Sequence, residues 1–245
     1  MTFPRRAALG AGLAVTAAAL AGARAHAQPD PGLSLPSTPL ADSSRRLIDN
    51  TLEPHLRNHS VRGFLFGRAA AGQQGPLPGR DYDEELMFLI CALHDVGLSE
   101  QANGDQRFEI DGADFAAKFL EDNGITDSRV DIVWDSIAAH TSGFTDSPVY
   151  RRRRPPESWI AVAGIGIDIG GSPADLPAGY ADLVHAAYPR LGGSRALTRS
   201  VELQAVAKPQ KATPASLANV ILRERHPELA GGSWESILQS NGWHD

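Results

Sequence analysis

His94 and Asp95 stand side by side at the end of an apolar run that reads LMFLICALHDVGL. An imidazole and a carboxylate at the inner end of a buried helix are costly unless they are paired or bound to a cation. As two ligands of one metal ion they make chemical sense. Two other residues share that character: His59 in RNHSVRGF, and Asp168 at the end of WIAVAGIGID. Asp168 follows Ile165, Gly166 and Ile167 and precedes Ile169, and its local sequence offers no basic partner. A lone inward histidine is more often a hydrogen-bonded core residue, and Asp168 alone could cap the turn at Gly170-Gly171. The combination His59, His94-Asp95, Asp168 reads instead as a four-ligand set. Nitrogen and carboxylate donors without thiolates suit a borderline or harder divalent ion, Zn first, with Fe, Mn or Ni as alternatives.

The elements that must position these residues are helical. Leu47, Ile48, Leu52 and Leu56 follow the 3.6-residue period, and His59 falls near that stripe. Asp81 or Asp83 caps a helix with Glu84 and Glu85 in its first turn, and Leu86, Leu89, Ile90 and Leu93 lead into His94. Gly97 is its expected stop. Asp111 is a possible cap for a helix whose inner face is Ala113, Ala116, Ala117 and Leu120, ended by Gly124. From Thr126 or Asp127 another helix puts Val130, Val133, Ile137 and His140 on one face, so His140 is expected to point inward.

A loop holding Arg151 to Arg154 follows, and Pro155-Pro156 opens the next helix. That helix, from about 157 to 168, is apolar almost all round and belongs in the middle of the fold. Ala161 and Gly164 share a face with Asp168, and their small size predicts a close approach to the helix carrying His94. Segments near 181–188, 201–207, 216–223 and 233–238 complete an all-α domain. The chain shows no alternating strand pattern of useful length and no internal repeat.

The first 27 residues read as a twin-arginine-type signal peptide. Arg5-Arg6 precede a short Ala-rich run, and Ala25-His26-Ala27 supplies a small-x-small cleavage site. The run is too weakly hydrophobic for a permanent membrane span. Residues 28–41, rich in Pro and Ser, read as a linker, and 42–245 as one domain. Cleavage removes Arg5, Arg6 and Arg24 and no acid, so the formal charge moves from −6 to −9. Such an acidic surface argues against nucleic acid or an anionic membrane as partner. The expected partner is a small-molecule substrate, in the periplasm or secreted; nothing in the chain fixes an oligomeric state. The single cysteine, Cys91, sits among apolar neighbours and excludes an internal disulfide.

The order His … His-Asp … Asp resembles the HD-domain superfamily of metal-dependent hydrolases. Within it, NHSVRGFLFG, ELMFLICALHDVGL, RFEIDGADFAAKFL, VWDSIAAHTSG and VAGIGIDIGG look like the cyanamide hydratase-like branch. The resemblance implies an all-α, single HD-domain helical bundle with His59, His94, Asp95 and Asp168 on the metal. It implies hydration of a nitrile carbon, as in cyanamide to urea, with zinc as the usual ion. The four-arginine segment and the GLSEQANGDQ run after the pair depart from that pattern.

The chemistry expected is activation of water by the ion, whose charge draws the pKa of a bound water from about 15.7 toward ~7. Asp95 is the candidate ligand and proton acceptor, His140 a proton shuttle or substrate contact, and Glu109 a further candidate acid. Arg62, one turn after His59, is a candidate partner for one of the acids. Two alternatives are an HD phosphohydrolase that uses Arg151 to Arg154 on a phosphate, and an exported metal-binding protein without catalysis.

Overall fold

The computed structural model describes residues 32–231 and 233–243. The signal-peptide reading for 1–27, and residues 28–31 of the linker reading, lie outside them. The described residues form eleven α-helices and no strand: α1 Pro39–Thr51, α2 Pro54–Gln74, α3 Glu84–Leu93, α4 Phe108–Asp122, α5 Ser128–Ala139, α6 Pro148–Arg153, α7 Pro156–Gly170, α8 Tyr180–Ala187, α9 Gly193–Ala207, α10 Leu217–Arg225 and α11 Trp234–Gln239. The all-α expectation therefore holds. No helix among the described residues is long and apolar enough to cross a membrane.

Helices α2, α3 and α7 carry the centre of the molecule. In α2 buried positions run from Leu56 almost without break to Ala71, and α3 is buried from Leu86 to Leu93. Phe64 and Phe88 meet edge to face between them. Helix α7 crosses α2 at very short range. A Cβ on Gly164 would overlap the Gly63 carbonyl oxygen and the Gly67 backbone, so three glycines let two main chains touch. The small face of α7 thus serves chiefly the helix that carries His59. The contact with the His94 helix expected from Ala161 is also present, with Cys91 Sγ 4.0 Å from the Ala161 carbonyl.

Several boundaries differ from the sequence expectation for local reasons. Helix α1 begins inside the expected 28–41 linker, because Thr38 Oγ1 accepts from the Ala41 amide and Pro39 occupies the first turn. The stripe from Leu47 to His59 is two helices, broken at Leu52 and Glu53, where Pro54 opens α2. Asp83, not Asp81, caps α3 through the Leu86 amide. Helix α4 starts before Asp111, whose carboxylate instead meets the buried Lys211 ammonium at 2.7 Å. The arginine run is not a loop: Ser147 caps a short helix, with Pro148 at its start and Arg151 to Arg153 in its last turn.

Candidate metal centre

Four helix segments bring the chemistry together. His59 lies in the second turn of α2, His94 directly follows α3, Asp95 precedes the 3₁₀ turn Val96–Leu98, and His140 directly follows α5. His59, His94 and Asp95 are all buried. The His59 and His94 rings stand edge to face at 5.1 Å, and His94 and His140 do so at 5.0 Å.

Each ring has one nitrogen tied up. His94 Nδ1 lies 2.8 Å from the Cys91 carbonyl, and His140 Nδ1 lies 2.7 Å from the Ile137 carbonyl. A carbonyl only accepts, so both Nδ1 atoms donate. His59 Nδ1 stands 2.7 Å from Asp168 Oδ2. Asp168 is held ionised by Arg62, so His59 Nδ1 also donates. All three Nε2 atoms are thereby turned toward Asp95, at 3.2 Å from Oδ2 for His94, 3.9 Å from Oδ2 for His59, and 3.8 Å from Oδ1 for His140.

This arrangement fits a cation. His59 Nε2 and Asp95 Oδ2 are buried without a hydrogen-bond partner, a state that folded proteins otherwise avoid. Ligand atoms from His59, His94 and Asp95 lie within 4.8 Å of one another. Metal–ligand bonds of about 2.0–2.2 Å separate neighbouring ligands by roughly 3–3.5 Å, close to these spacings. His140 Nε2 faces the same carboxylate from the other oxygen.

The electrostatics agree. Burial, reinforced by the neighbouring His94, lowers the pKa of His59 below its ordinary value despite Asp168. Burial and His94 together push His140 down to about 4. For His94 burial also opposes protonation, but the adjacent Asp95 charge outweighs it and the pKa rises. Burial would raise Asp95, yet His94, His59 and His140 together hold it well below the usual carboxylate range. Without an ion, His94 and Asp95 therefore share the charge between them.

Asp168 is buried beside this group but engaged elsewhere. Arg62 grips it with two bonds, Nε to Oδ1 at 2.8 Å and Nη2 to Oδ2 at 2.7 Å. The basic partner missing from its local sequence comes from α2. Glu109 is buried in the first turn of α4, where Arg107 donates to it and Thr141 Oγ1 donates at 2.5 Å. Sequence reasoning missed Thr141, whose only signal was its place directly after His140.

The centre opens into a cavity of about 580 Å³. His59, His94, Asp95, His140 and Thr141 line it together with the apolar side chains Val162, Ile165, Leu197 and Leu217. Arg151 also lines it, its Nε donating to the Thr145 carbonyl and its guanidinium lying over Trp159. Cys91 is a buried thiol whose pKa burial raises, which removes it from consideration as a nucleophile.

Among known families, the model described as HD domain matches residues 56–163. That span contains His59, His94, Asp95 and His140, and Asp168 lies just beyond its end. No curated protein matches the chain.

Proposed function

We infer that this HD-domain chain is a metal-dependent hydrolase or hydratase, with the ion held on His59, His94 and Asp95. The observation that carries this reading is two buried atoms that make no well-formed hydrogen bond, His59 Nε2 and Asp95 Oδ2, 3.9 Å apart, with His94 Nε2 3.2 Å from the same oxygen. A divalent cation there supplies Lewis acidity and a water of lowered pKa. The protein's own groups do the rest. His140, neutral at pH 7 with Nε2 free, stands where it can take a proton from water beside Asp95. Thr141 spends its hydroxyl proton on Glu109, which leaves its oxygen lone pairs for the cavity. Glu109 thus acts on the site through Thr141 and through its charge near His140.

The apolar part of the cavity wall, Val162, Ile165, Leu197 and Leu217, suits a small substrate with an uncharged portion, while Asp146, Arg151 and Asp175 also line the cavity. Together with the five sequence blocks that resemble the cyanamide hydratase-like branch, it supports hydration of a nitrile-like carbon, the cyanamide-to-urea type, with zinc as the ion. A second reading rests on Arg151, which brings a fixed cation to the cavity and would suit a phosphate. Urea release from cyanamide, measured beside phosphate release from a nucleotide panel, separates the two. Neither product from the metal-loaded protein would leave a metal-binding protein without catalysis. The Arg5-Arg6 leader supports action outside the cytoplasm, which the N-terminus of the exported chain tests.

A further inference from the structure

Resting on that metal-centre reading, we propose that Asp168 and Arg62 are positioning residues: Asp168 orients His59 and stays off the ion. The ordering of partners around Asp168 carries this. Its Oδ2 accepts from both Arg62 Nη2 and His59 Nδ1, each at 2.7 Å, and its Oδ1 accepts from Arg62 Nε at 2.8 Å. Arg190 Nη1 lies a further 3.7 Å from Oδ1, and Arg190 Nη2 donates to the Asp168 carbonyl at 2.7 Å.

Arg62 cannot yield its place cheaply. It is 1% exposed, and its remaining nitrogen, Nη1, donates to the Tyr188 and Pro189 carbonyls between α8 and α9. Turning Asp168 toward an ion would strand a buried guanidinium without its counter-charge. It would also release His59 Nδ1, the proton that fixes which nitrogen of the ring faces Asp95. A carboxylate on the far nitrogen of a ligating histidine fixes the ring and makes its free nitrogen more basic. Two imidazoles and one carboxylate would be a three-residue ligand set of the kind that catalytic zinc sites use, with a further position for water or substrate.

The test uses the whole mature chain loaded with Zn²⁺ or Co²⁺. X-ray absorption and a crystal structure of the native loaded protein should show two imidazole nitrogens and an Asp95 oxygen on the ion. Asp168 oxygens should lie well outside the bonding range of about 2.0–2.2 Å. Asp168→Asn should keep the Co²⁺ absorption spectrum, and hence the coordination number, while chelator competition shows affinity reduced about 10–100-fold. Arg62→Lys, which retains the charge beside Asp168, should lower affinity in the same way, and serves if Asp168→Asn does not fold. An Asp168 oxygen bonded to the ion, or a changed Co²⁺ coordination in either variant, overturns the proposal and leaves the metal centre intact. A native chain that takes up no ion overturns the metal-centre reading itself.

Discussion

His59 presents opposite edges of one ring to two carboxylates: Nδ1 lies 2.7 Å from Asp168 Oδ2, and Nε2 lies 3.9 Å from Asp95 Oδ2. The short contact orients the ring, and the longer one leaves room for an ion. Both are set by how α2 meets α7 and the turn after α3, so packing in this core and chemistry at the site are coupled.

That coupling is testable at Gly164. Gly164→Ala would put a methyl group into the Gly63 carbonyl and the Gly67 backbone, and the two helices must separate. Overpacking of this kind costs about 1–3 kcal/mol. Since His59 rides on one helix and Asp168 on the other, Zn²⁺ affinity should fall as well. Urea unfolding and chelator competition measure the two effects; an unchanged affinity in a destabilised variant would show that the crossing does not govern the site.

Arg62→Met removes one partner of a buried pair whose members are 1% and 2% exposed. Loss of one partner from such a pair costs about 3–5 kcal/mol. Urea unfolding in excess chelator should show that loss, because the effect belongs to the ion-free fold. A loss near zero would mean that Asp168 finds compensation from Arg190 or takes up a proton.

In the ion-free protein, stability should depend on pH in two opposed ways. His140 falls to about 4 in the fold from an ordinary 6.5. The unfolded chain takes up that proton between pH 6.5 and 4 while the fold does not, so stability drops as pH falls through this window. His94, whose pKa is raised, contributes stability that is complete below 6.5 and is lost as pH rises through its folded value. The melting temperature in chelator should therefore peak near pH 6.5. His59, also lowered by burial, adds to the acid side, so His140→Gln should make that side shallower without abolishing it and spare the alkaline side; an unaltered acid side would remove His140 from this account.

The all-α architecture and the His94-Asp95 pair were legible because local pattern determines them. Apolar residues at helical spacing run straight into the pair, and Asp83, Asp127 and Pro156 mark helix starts in the sequence itself. Asp168 was recognisable as a buried acid and Arg62 as a partner for one of the acids, but not that the two belong together. Arg62 is separated from it by 106 positions, and only the three-glycine crossing brings them together. The same holds for Asp111, whose lysine is one hundred positions away. The arginine run shows the opposite failure. Ser147 and Pro148 announce helix α6 locally, although the four consecutive charges that follow suggest a loop.

If residues 1–27 act as the proposed twin-arginine leader, export requires Arg5 and Arg6. Arg5→Lys combined with Arg6→Lys should leave the chain inside the cell, while the purified variant keeps its metal. Normal appearance of the double variant outside the cytoplasm would rule out the twin-arginine reading of the leader.

The most direct measurement is elemental analysis of the purified mature protein, native and His94→Ala, before and after exhaustive chelation. The expected result is roughly one divalent ion per native chain, held by the three buried ligands, and close to none in the variant, with turnover lost in step. A native protein free of divalent metal, or one that keeps full activity once stripped, would contradict a metal centre at His59, His94 and Asp95.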